Sequence, residues 1–127
     1  MIAENGRSFR NLKIWEKGMD LSIDCYRLTK RFPKDEQYGL TSQIRRAAVS
    51  VPANIAEGFG RESTGDFIRF LRIAQGSLKE LETLLELTSR IEDLPTPESA
   101  RSLDSCIEIG KMTRSLIRKL ERNRATK

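Results

Sequence analysis

From residue 64 to residue 93 the chain repeats its apolar residues at helical spacing, with no proline to interrupt the pattern. Placed at about 100° per residue, Phe67, Phe70, Leu71, Ala74, Leu78, Leu81 and Leu85 share one face. Ile73, Leu84, Leu87 and Ile91 extend that face sideways. The apolar arc spans about 200°, wider than the roughly 100° stripe of a one-sided surface helix. Such a helix is either central in a bundle or covered on its second side by another subunit. At about 30 residues it would reach about 45 Å.

Three more amphipathic segments surround it. A first helix is predicted over about 13–31, with Trp15, Met19, Ile23 and Tyr26 on one face. Phe32-Pro33 stops it, because proline disfavours helical geometry in the residue before it. A second helix is predicted over about 36–57, with Leu40, Ile44, Ala47, Ala48, Val51 and Ile55 as its apolar stripe. Gln43, Arg46, Ser50, Asn54 and Glu57 form a polar stripe beside it. Pro52 falls inside, where proline costs about 3 kcal/mol. The stripe continues through it, which favours one helix kinked near Ala48–Pro52 over two helices. A fourth helix is predicted over about 97–123, opened by "PTPES" with Thr96 as N-cap. Leu103, Ile107, Gly110, Thr113, Ile117 and Leu120 would face inward. Gly18, Gly76 and Gly110 lie within predicted helices, where close helix contact is the simplest reason for them.

With no period-2 run, the fold class is all-α, an antiparallel up-and-down four-helix bundle. Residues 1–12 form an N-terminal arm, 13–123 the bundle and 124–127 a basic tail end. One domain is the expectation for 127 residues. No apolar run exceeds three residues, so neither a membrane span nor a secretory segment is expected. Cys25 and Cys106 lie in no metal-ligand spacing and read as small buried side chains in a reducing cytoplasm. The chain has no histidine, which removes the commonest general base and metal ligand. Glu80, Glu82 and Glu86 therefore read as a solvated or ion-paired face. No enzyme activity, metal or cofactor is expected.

The turn "EGFGR" between the second and third helices raises the question of a phosphate loop. Such loops follow a strand; here a helix precedes. Gly58 is expected as a left-handed C′ cap of the second helix, Gly60 as a further flexible point. Asn54 and Glu57 are expected to satisfy backbone groups at this turn. Arg61, near the start of the third helix, keeps an anion site open.

The residues "YGLTSQIRRAAVSVPANIAEGFGR" and "FLRIAQGSLKELET", within a match over about 9–93, resemble the bacterial four-helix-bundle family, also called the 23S ribosomal RNA intervening-sequence protein family. The resemblance implies an up-and-down bundle, a ring-shaped homopentamer and no established catalytic activity. The accessory protein of diversity-generating retroelements is a similar pentameric bundle that works beside nucleic acid.

Charge supplies the functional candidates. Residues 110–127 hold seven Lys/Arg and one Glu, a local +6 within a net +5, so the other residues sum to −1. Lys111, Arg114, Arg118 and Arg122 step by three, four and four and line one face; Lys119, Arg124 and Lys127 flank them. They are the first candidates for RNA or DNA phosphates, against a solvated helix end. No aromatic residue interleaves them, so base stacking is not supported. Arg45 and Arg46 are weighed between phosphate contact and pairing with Glu80 or Glu82. Arg69 and Arg72, with Arg61, are weighed between a further basic patch, partly neutralised by Asp66 and Glu62, and a solvated face, which is favoured. Ile73, Leu84, Leu87 and Ile91 are the candidate oligomer interface. The competing reading is a scaffold for a protein partner.

Overall fold

The computed structural model describes residues 8–125. Four helices, α1 (Lys13–Thr29), α2 (Leu40–Phe59), α3 (Thr64–Arg90) and α4 (Thr96–Ala125), are joined by short connections. Each packs on its neighbours in sequence, and α4 closes the ring against α1. Among the described residues there is no strand, and no helix is long and apolar enough to cross a membrane.

The core is built around α3, where Leu71, Ala74, Leu78, Leu81 and Leu85 are almost wholly buried. Full burial of each large apolar side chain is worth about 1.5–3 kcal/mol. Ser63 caps α3, its hydroxyl accepting from the Asp66 amide at 3.1 Å. In the expected arm, Phe9–Asn11 make a single 3-10 turn. The Phe9 ring meets Trp15 edge-on at 5.2 Å, and Leu12 packs against the core. Residues 1–7 of the arm and the last two of the tail end lie outside the described residues. Arg124 still belongs to α4.

Helix α2 begins at Leu40, four residues later than the sequence pattern indicates. Lys34–Glu36 instead form a 3-10 turn, and the Glu36 carboxylate accepts from the Leu40 amide at 3.3 Å. Pro52 lies within one continuous helix, as expected. Its missing N–H leaves the Ala48 carbonyl without its helical donor. The Ser22 hydroxyl of α1 approaches that carbonyl at 3.0 Å. Beside it, a Cβ added to Gly18 would touch the Pro52 ring at 3.4 Å. Gly18 is therefore a helix-contact glycine, as expected.

Four expectations are corrected. On α1 the buried face is Ile14, Gly18, Leu21, Ser22, Cys25 and Leu28; Met19, Ile23 and Tyr26 are exposed. The small residues Gly18, Ser22 and Cys25 let α1 approach its neighbours closely, and the larger residues one step round are left outside. On α4, Cys106, Ile109, Thr113 and Ile117 turn inward, and Ile107 is exposed. Leu84, a candidate interface residue, is 8% exposed and belongs to this subunit's own core. Gly58 is not a left-handed cap: it lies inside α2 and the helix ends at Gly60 with ordinary right-handed geometry. It is glycine because a Cβ there would stand 2.6 Å from the Phe70 Cβ.

Candidate nucleic-acid interface

The arginines divide into two groups. Those of α2, α3 and the turn between them are engaged inside the subunit. Arg46 pairs with Glu80 across α2 and α3 at 3.8 Å. Arg45 departs from the expected acid pairing: its Nε donates to the Thr29 hydroxyl at 2.8 Å, and its guanidinium covers the Tyr26 ring at 4.5 Å. Arg61 pairs with Glu57 at 2.8 Å, and Arg69 with Asp66 at 3.8 Å. Both guanidiniums also stand within 5 Å of the Phe70 ring, at 4.8 and 4.6 Å. Arg72 reaches across to Glu121 of α4 at 2.7 Å.

The turn between α2 and α3 is internal chemistry as well. Glu57 is occupied by Arg61. Asn54 does not cap the turn as expected; its amide donates one helical turn back, to the Ser50 carbonyl at 2.8 Å and the Ser50 hydroxyl at 2.9 Å. Ser50 in turn meets Ser77 of α3 at 2.8 Å. The carboxylates of α3 follow suit, Glu82 pairing with Lys79 at 3.2 Å and Glu86 with Arg90 at 3.1 Å. Among the described residues no group of His, Cys, Asp or Glu could hold a metal ion.

The second group lies on α4. Lys111, Arg114, Arg118, Lys119 and Arg122 are all exposed. Among the described residues none of them takes part in an ion pair. Lys111, Arg114, Arg118 and Arg122 repeat every three or four residues, about 4.5–6 Å apart along the axis. Arg124 stands apart, its guanidinium lying over Gly65 near the start of α3.

The stripe borders a groove between α3 and α4. Its middle, about 350 Å³, is lined by Gln75, Gly76, Leu78, Lys79, Glu82, Ile107, Gly110, Lys111 and Arg114. A smaller hollow of about 230 Å³ continues from Gln75 and Arg114 to Arg72, Ile117, Arg118 and Glu121. Gly76 and Gly110 depart from the close-contact expectation: a Cβ on either would meet nothing within 4 Å. Each costs its helix about 1 kcal/mol relative to alanine, and no packing inside the subunit requires it. Sequence reasoning missed Gln75 and Lys79 as part of this groove; the mid-helix glycines were the available signal.

Three other surfaces stand out. Met19, Ile23, Tyr26 and Val49, with Ser22, Arg27 and Lys30, line a shallow apolar hollow between α1 and α2. Ile73, Leu87 and Ile91 remain exposed on α3 at 41%, 47% and 38%. Where α1 ends beside the start of α4, Arg31 pairs with Glu98, and Asp24, Arg27 and Arg101 share the same cleft. The Glu98 backbone and then Arg31 hold the Glu98 carboxyl below the usual carboxylate range.

A model of the 23S rRNA-intervening sequence protein family matches residues 10–115. The chain belongs to that family. The family match takes in α1 to α3 and most of α4, including Lys111 and Arg114, and stops before Arg118. A crystal structure of a protein of unknown function from the S23 ribosomal protein family of Bacteroides thetaiotaomicron is 30% identical, with a TM-score of 0.74. The similarity covers 82% of this chain and 97% of that one. No curated protein matches the chain significantly.

Proposed function

We propose that this protein is a non-enzymatic, ring-forming bundle that binds the backbone of RNA or DNA through α4. One observation carries the reading. The cations of α2 and α3 are occupied by internal partners, and five successive cations of α4 are not. An exposed, unpaired stripe at about 5 Å intervals can meet several phosphates at once and release their counterions. Repeated around a ring, the pentamer that the family resemblance implies, the stripes would sum to a strong positive field. Binding of this kind is tolerant of sequence, because phosphates position a protein without specifying bases. Its setting in this reading is the bacterial cytoplasm, which suits two free, buried thiols.

The apolar hollow of α1 and α2 and the exposed Ile73, Leu87 and Ile91 of α3 supply surfaces through which copies would join. A salt titration tests the nucleic-acid reading. The logarithm of affinity should fall linearly with the logarithm of salt, by about 0.9 per phosphate met on duplex DNA and about 0.7 on a single strand. Salt-independent binding, or capture of a single protein partner with no affinity for nucleic acid, would favour a scaffold instead.

A further inference from the structure

The groove beside the α4 stripe has two walls and a floor. Cations stand on both of its walls, Arg72 and Lys79 from α3 and Lys111, Arg114 and Arg118 from α4. Against these five stand two carboxylates, Glu82 and Glu121, an excess of three positive charges. Lys79 and Arg72 already balance those carboxylates, so the excess resides on Lys111, Arg114 and Arg118. The floor is apolar and small, with Leu78 buried and Ile107 40% exposed. Gly76 and Gly110 leave the space above the backbone open.

The occupant must therefore be anionic along its length and narrower than a helix pair. Packed helix axes lie about 8–10 Å apart, and a docking helix is itself about 10–12 Å across. A peptide helix would rest on the rim and find three apolar side chains beneath it, Leu78 and Ile117 buried and Ile107 exposed. A nucleic-acid duplex would touch the α4 rim with one backbone edge and leave the floor empty. A single sugar–phosphate strand can run along the unpaired α4 cations with its sugars over the floor.

We propose that the groove between α3 and α4 seats a single-stranded phosphodiester chain along Lys111, Arg114 and Arg118, with Gly76 and Gly110 giving its sugars clearance over the floor. This rests on the reading that α4 binds nucleic acid, and adds which form enters and where. With no aromatic residue lining the groove, the strand is held by its backbone, and base identity matters little.

The test compares Gly76→Leu, Gly110→Leu and Arg114→Glu with the parent. Binding is measured to a fluorescent single-stranded RNA of mixed sequence and to an unrelated DNA duplex, at one salt concentration. Because nothing lies within 4 Å of the added Cβ, the leucine variants should fold with unchanged helicity; Gly110→Ala serves as a milder variant should leucine disturb the helix. The parent should prefer the single strand. Either leucine should weaken single-strand binding tenfold or more and change duplex binding less than threefold. Arg114→Glu should weaken both. If Arg114→Glu weakens binding while all glycine variants bind the single strand like the parent, the groove proposal falls and the α4 reading stands. If neither class of variant matters, both fall. If the glycine variants instead lower the oligomer mass, the groove is a contact between copies and the proposal is overturned.

Discussion

The Ser22 hydroxyl of α1 lies 3.0 Å from the Ala48 carbonyl of α2, the acceptor that Pro52 deprives of its own helical donor. The hydroxyl is shared with the Gly18 carbonyl, also at 3.0 Å, and Ser22 is buried. A proline that would cost an isolated helix about 3 kcal/mol is thus accommodated by the neighbouring helix. Ser22→Ala should destabilise the fold by about 1–3 kcal/mol, the cost of an unsatisfied buried acceptor. In a Pro52→Ala background, where residue 52 regains its N–H, the same change should cost measurably less. Urea denaturation of the four proteins gives the coupling directly. Equal costs in both backgrounds would show that the hydroxyl does not serve this carbonyl.

The glycines separate by what surrounds them. Gly58→Ala should lose about 1–3 kcal/mol by overpacking, since its Cβ would meet Phe70 and Phe67 at 2.6 and 3.1 Å. Gly110→Ala, in open space, should gain up to about 1 kcal/mol from helix propensity. Thermal melts of the two variants should move in opposite directions.

Assembly is checked by light scattering. The account predicts a particle several times the 14.5 kDa subunit mass at micromolar concentration. Leu87→Lys and Ile23→Lys, both on exposed apolar surface, should lower that mass without loss of helicity. A parent that scatters as a 14.5 kDa monomer would contradict the ring.

The buried thiols predict an alkaline limit. Burial, and then the Asp24 charge, push the Cys25 thiol up from 9.0 to about 12. Burial raises Cys106 as well. In the unfolded chain both ionise near their ordinary value, and the folded chain keeps its protons. The stabilisation is therefore full below about pH 9 and is lost as pH rises toward 12. Cys25→Ala should flatten that decline, read as the change in urea midpoint between pH 8 and 10.5, and native thiols should react slowly with disulfide reagents at pH 8.

Much of this was legible from residue spacing. The stripe of α3 and the continuity of α2 through Pro52 follow from apolar period alone. The faces of α1 and α4 did not, because periodicity finds large apolar residues wherever they lie. In α1 the inward face is partly Gly18, Ser22 and Cys25, chosen for close approach, and Met19, Ile23 and Tyr26 stand one step round. Leu84 was misread for the opposite reason: a wide arc does not say which of its edges the subunit covers itself. For the site, the α4 stripe was visible as charge. Which arginines were already paired required the fold, since Arg72 meets Glu121 and Arg46 meets Glu80 only after the helices pack.

The central claim is that the unpaired cations of α4 hold nucleic acid, and charge reversal tests it most directly. The variant Arg114→Glu, Arg118→Glu, Arg122→Glu changes three exposed side chains and spares Ile117 and Leu120, which pack in or against the core. Its binding to single-stranded RNA and duplex DNA is measured at low salt beside the parent, with circular dichroism and light scattering on the same samples. The account predicts loss of binding with helicity and particle mass unchanged. Binding as tight as the parent's, at equal salt, would contradict it and leave the stripe a solvated helix end.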